Sequence, residues 1–89
     1  MSIYDASATL RRVLNDCAYE FGVDLQDRCT GIRTSVDYDT INVDVDMYVV
    51  DRSNKYAIQD DIESTIRSIC SQYDLSYRIN MTIHFEYEY

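Results

Sequence analysis

The sequence predicts an α+β fold: a single small domain, residues 1–89, in the order α-β-β-α-β, with a three-stranded sheet and two helices packed on one face. Three observations predict it. Two stretches, near residues 5–21 and 55–73, place apolar residues at helical spacing. Three others alternate apolar and polar residues, as strands with one buried and one wet face do. The chain also has no Pro and only two Gly, which excludes a flexible linker or a low-complexity segment. Its 89 residues suit one domain, and 46% hydrophobic content supports a folded globule over a disordered chain.

The first helix is expected from Asp5 as N-cap to Phe21, with Ala6, Leu10, Val13, Leu14, Cys17, Ala18 and Phe21 as its apolar stripe. Gly22 stands where a helix C-terminal glycine belongs, and Val23 follows as its hydrophobic companion. Asp24 to Thr30 reads as a polar connection. In the first strand Ile32, Thr34, Val36 and Tyr38 alternate with Arg33, Ser35, Asp37 and Asp39. The apolar parity changes between Tyr38 and Ile41, which predicts a tight turn around Asp39 and Thr40. The second strand runs to Val50. Ile41, Val43, Val45, Met47 and Val49 take one face, and Asn42, Asp44, Asp46 and Tyr48 the other. A turn at residues 51–54 offers Ser53 or Asn54 as the next N-cap.

The second helix carries Ile58, Ile62, Thr65, Ile66, Ile69, Cys70 and Tyr73 on its apolar stripe. Asp60, Asp61 and Glu63 lie on its solvent side, toward the N-terminal half that the helix dipole makes favourable for acids. In the third strand Tyr77, Ile79, Met81, Ile83, Phe85, Tyr87 and Tyr89 alternate with Arg78, Asn80, Thr82, His84, Glu86 and Glu88. A parallel pairing of strands two and three requires the second helix as a right-handed crossover.

Charge narrows the function. Sixteen acidic residues against eight basic ones give −8, and Lys55 is the only lysine. Direct binding to nucleic acid, or to an anionic membrane surface, needs the opposite balance. A basic partner or a metal cation is favoured. No apolar run is long enough to span a bilayer and no signal pattern opens the chain, so a cytoplasmic location is expected. Cys17, Cys29 and Cys70 are odd in number and lack C-x-x-C spacing, which fits reduced thiols and not a zinc site. There is no Gly-rich phosphate loop, no G-x-S-x-G and no EF-hand loop. Neither an enzyme nor a cofactor is expected.

Aspartate is disfavoured in strands. The sheet face away from the helices nonetheless collects Asp37, Asp39, Asp44, Asp46, Glu86 and Glu88, relieved by Arg33, Arg78 and His84. Carboxylates two residues apart on a strand repeat at about 6.8 Å. Such rows match Lys and Arg residues placed to grip phosphates. The expected function is charge mimicry: a non-enzymatic inhibitor that blocks a basic nucleic-acid-binding surface on a partner, such as a nuclease complex. Tyr48 would anchor the rim of that contact. The bland alternative is a solvated face that keeps sheets from aggregating.

A different class of function would bring Asp44, Asp46, His84 and Glu86 together on a divalent cation. Of the nine tyrosines, Tyr38, Tyr73 and Tyr77 are expected to complete the core, while Tyr48, Tyr56, Tyr87 and Tyr89 lie near element ends. If the third strand is a sheet edge, its F-E-Y-E-Y tail offers pairing to a second copy as a homodimer. Glu86 and Glu88 would oppose that pairing in register.

The α-β-β-α-β order, through the second strand, second helix and third strand, resembles small accessory domains, including the cytosolic domain of cation-diffusion-facilitator transporters. That resemblance implies a homodimeric metal-binding or assembly module, with His84 near a histidine common in the family. The family's glycine and proline punctuation is missing here. In size, acidity and tyrosine content the chain also looks like small phage-encoded inhibitors of host defence, of the anti-CRISPR or anti-restriction type, a likeness that transfers no residues.

Overall fold

One face of one strand organises the chain. A computed structural model describes all of residues 1–89. It contains α1 (Ile3–Cys17), β1 (Arg28–Asp37), β2 (Thr40–Val49), α2 (Lys55–Gln72) and β3 (Arg78–Tyr87), with short 3-10 turns at Ala18–Glu20 and Arg52–Asn54. The sheet order is β1-β2-β3; β2 is antiparallel to β1 and parallel to β3. The expected α+β architecture is therefore present, with α2 as the crossover between the parallel strands.

Ile41, Val43, Val45, Met47 and Val49 of β2 are at most 1% exposed. They meet Ala6, Leu10 and Leu14 of α1 and Ile58, Ile62, Ile66 and Ile69 of α2 in a single apolar cluster. Burying each large aliphatic side chain contributes roughly 1.5–3 kcal/mol, so this row is the main source of cohesion between the layers. Ser7 is the polar exception: its hydroxyl donates to Thr34 Oγ1 at 2.9 Å, and the Thr34 hydroxyl lies 3.2 Å from the Ser7 carbonyl. That pair ties α1 to β1 without an unsatisfied buried group.

Several boundaries differ from the sequence expectation, each for a local reason. Ser2, not Asp5, caps α1: the Asp5 N–H donates to Ser2 Oγ at 3.1 Å. The α-helix stops at Cys17 and the next turn tightens to 3-10, so Gly22 is not its C-terminal glycine, and Val23 is exposed. Gly22 is required for another reason. Its φ is +127°, and a Cβ there would sit 2.7 Å from Asp27 Cβ. Asn54 occupies the position before α2 without a side-chain cap; its amide donates to Asp24 Oδ2 at 2.9 Å. Asp51 instead accepts the Ser53 N–H at 2.9 Å. β1 begins at Arg28, earlier than its alternation implies, because a register shift between Cys29 and Gly31 interrupts the pattern.

The β1–β2 turn also departs from expectation. Asp37 pairs with Thr40, so the turn residues are Tyr38 and Asp39. Tyr38 has φ of +59° and is 92% exposed, which corrects its assignment to the core. Tyr73 and Tyr77 do pack against the core, and the Tyr77 hydroxyl donates to the Met1 carbonyl at 2.6 Å.

Asp27 locks the segment between α1 and β1. It is 8% exposed, and its carboxylate accepts the N–H groups of Val23 and Asp24 at 2.9 Å and of Val50 at 2.8 Å. Burial alone would raise its pKa; the three main-chain donors outweigh burial and hold it below the ordinary carboxylate value. Asp27→Ala is expected to lower unfolding free energy by about 2–3 kcal/mol. Asp27→Asn should cost nearly as much, because an amide nitrogen would face N–H donors. Urea denaturation checks both, with a lower midpoint at unchanged slope. The depressed pKa also sets the sign with pH. The contribution is complete above the ordinary carboxylate range near pH 4 and is lost as pH falls through the lower folded value. The Asp27→Ala variant should therefore lose less stability than the wild type on acidification.

Candidate functional site

The side of the sheet opposite the helices is uncovered. β1 contributes Arg33, Ser35 and Asp37, β2 contributes Thr40, Asn42, Asp44, Asp46 and Tyr48, and β3 contributes Arg78, Asn80, Thr82, His84 and Glu86. Strand alternation alone sends these residues outward, because their neighbours fill the core.

Register then decides which charges meet. Arg33 stands opposite Asp44 and His84 opposite Asp46. Both bond diagonally instead. Arg33 grips Asp46 with both terminal nitrogens, Nη1 on Oδ2 and Nη2 on Oδ1, the latter at 3.1 Å. His84 Nε2 lies 3.0 Å from Asp44 Oδ1. Gly31, directly opposite Asp46, leaves room for this crossing; a Cβ there would approach Asp46 Oδ2 to 3.1 Å. The Arg33 guanidinium holds the Asp46 carboxyl below the ordinary value, with a smaller contribution from the His84 charge. Beside this quartet, Asn80 Nδ2 donates to Asn42 Oδ1 at 3.1 Å.

In the centre of the face Asp46 is thus neutralised by Arg33 and Asp44 is hydrogen-bonded to His84, while the carboxylates without an ion-pair or histidine partner lie at the ends. Asp37 and Asp39 flank the exposed Tyr38 at the hairpin tip, where Thr40 Oγ1 donates to Asp39 Oδ1 at 3.1 Å. At the far end Glu86 stands opposite Tyr48. Glu88 lies just beyond β3, its N–H on the Val49 carbonyl at 3.0 Å. The eight-residue offset from the Thr40–Arg78 pair to the Tyr48–Glu86 pair separates the ends by roughly 26 Å. Tyr48 is half-buried beneath Arg28, whose guanidinium carbon is 4.3 Å from the ring centroid.

The six carboxylates expected from the sequence therefore form two end clusters and a paired middle. Strand parity predicts the face of a side chain but not a diagonal partner. Tyr38 was missed as a candidate for the same reason. Its parity matches the inward row, and only the turn turns it outward. The flanking Asp37 and Asp39 were the available signal.

Asp44, Asp46, His84 and Glu86 do not converge on a metal position. Asp46 is turned toward Arg33, and no group of three or more His, Cys, Asp or Glu side chains is arranged to hold an ion. Burial raises the pKa of Cys17, Cys29 and Cys70, which keeps the three thiols protonated and weakly nucleophilic. No helix is long and apolar enough to cross a membrane.

No protein-family model matches the chain, and no curated protein or solved structure matches it at a significant level. The likeness to the cytosolic domain of cation-diffusion-facilitator transporters therefore rests on element order alone.

Removing Arg33 should release Asp46. In Arg33→Ala the Asp46 carboxyl pKa is expected to rise toward the ordinary value, read by an NMR pH titration. Because the pair is exposed, global stability should change by less than about 1 kcal/mol.

Proposed function

We propose that this is a non-enzymatic acidic interaction protein that occupies a basic, nucleic-acid-binding surface on another protein and blocks it. The observation that carries this reading is the uncovered sheet face, with carboxylates concentrated at its two ends. The overall charge of −8 supports it by favouring encounter with a basic surface. Asp37, Asp39, Glu86 and Glu88 make the outer contacts. Asp44 and Asp46 lie between them, available to a partner cation that displaces His84 or Arg33. Tyr48 supplies part of the apolar rim.

Tyr38 joins this site as its anchor. A tyrosine at positive φ costs about 1–2 kcal/mol relative to ordinary backbone, and this one buries nothing within its own chain. Strain kept at an exposed aromatic flanked by two acids fits a contact residue better than a structural one. The chain also shares the size and acidity of small phage-encoded inhibitors of host defence systems.

The test is a pull-down from host lysate followed by competition. A nucleic-acid-binding protein or nuclease should be captured at low salt, released at high salt, and displaced by its own DNA or RNA. Capture that is indifferent to both would overturn the reading. Replacing Asp37, Asp39, Glu86 and Glu88 by their amides should weaken binding about thirty-fold, from four exposed ion pairs of about 0.5 kcal/mol each. Tyr38→Asn should separate stability from binding. Asparagine tolerates positive φ, so the variant unfolds at higher urea, yet it binds the partner less tightly.

A further inference from the structure

The helix side of the sheet is incompletely covered at β3. Ile79, Met81, Ile83, Phe85 and Tyr87 are only half-buried, although they continue the inner face on which the β2 row is fully buried. An open groove of about 600 Å³ runs between α2 and the first half of β3, with Ile66, Cys70, Leu75, Tyr77, Ile79 and Met81 in its walls. At the other half of β3, Phe85 and Tyr87 stack with centroids 5.7 Å apart and planes 2° from parallel. Arg52 lies 4.5 Å over Tyr87, and Lys55 lies 5.8 Å from Phe85.

β3 is also an open edge. Its ladder with β2 runs without a bulge from Arg78 to Tyr87, and it contains no Pro or Lys to block a further strand. The other edge strand, β1, carries the irregularity at Cys29 and Gly31. The Glu88 N–H bonds the Val49 carbonyl, so the even-numbered residues of β3 turn their main-chain groups toward β2. The odd-numbered residues turn theirs outward.

Read outward from Thr82, the strand is its own complement: Met81 with Ile83, Asn80 with His84, Ile79 with Phe85, Arg78 with Glu86, Tyr77 with Tyr87. We propose that β3 pairs antiparallel with β3 of a second copy, about a two-fold axis at Thr82, giving a continuous six-stranded sheet. The outward main-chain groups fall on the right positions: Met81 bonds Ile83 of the second copy, and Ile79 bonds Phe85 of the second copy. Thr82 meets its own counterpart at a non-hydrogen-bonded position. Arg78 faces Glu86 of the second copy twice over, which removes the repulsion of an in-register parallel pairing. On the helix side, the Phe85–Tyr87 stack of each copy lies beside Ile79 and Tyr77 of the other, at the mouth of the groove. The arrangement is isologous and closes on itself.

The oligomeric state is measured on the pure protein, so the result is independent of the acidic-face reading. Sedimentation equilibrium should show a dimer. R78E and E86R should each weaken it at least about thirty-fold, because one change converts two attractions into two repulsions. The double variant R78E/E86R should restore it. Thr82→Cys should cross-link under mild oxidation, since Cα atoms of a non-hydrogen-bonded pair lie about 4.5 Å apart, within disulfide reach. Asn80→Cys should not. A wild type that stays monomeric into the millimolar range overturns the proposal. So does a dimer that R78E leaves unchanged, or one that cross-links through Asn80→Cys and not Thr82→Cys.

Discussion

The structure depends on one side of β2. Its five apolar residues face both helices, and its main chain is bonded on both edges, to β1 and to β3. A slip of one residue in either pairing would bring Asp44 and Asp46 into the core and send Val43 and Val45 to water. Two buried carboxylates without partners would cost more than an 89-residue domain can lose. The alternation that builds the core therefore also forces the aspartates outward. The acidic face and the apolar core are two consequences of one register.

What that face presents is decided by neighbours. Arg33 and His84 each reach past the residue directly opposite and take the diagonal carboxylate, and Gly31 leaves the space that lets them cross. The two aspartates in the middle of β2, Asp44 and Asp46, each have such a partner. The unpaired charge moves to the hairpin tip and to the end of β3. Used as the proposed interaction surface, this face would offer two acidic ends and a middle open to competition, which would suit a long basic groove better than a single cation.

The two helices are too few to cover three strands evenly. α1 lies chiefly against β1, and α2 spans from α1 to β3. β2 is fully covered from above and β3 only half. The uncovered part of the core adjoins the unpaired sheet edge, so the proposed second copy would satisfy both through one contact. The outer faces of two such copies would join into one longer acidic surface.

Much of this was readable in the residues. Period 3.6 in residues 5–21 and 55–73, and period 2 in the three strands, follow from which side chains must leave water, and that is written locally. The parity break before Ile41 announced the hairpin for the same reason. The alternation was blind where a side chain answers to something distant in sequence. Asp27 looked like loop polarity until Val50, 23 residues later, came to donate to it. Gly22 looked like a helix end until Asp27 was packed against it. Tyr38 read as core by parity and stands in solvent, because two residues had to close the turn. Composition and periodicity determined the elements, their order and the sign of the surface, since each depends only on near neighbours. Which carboxylates are paired, and which apolar row is left half-covered, depend on register and on how far two helices reach across three strands. Only the tertiary structure decides those distances.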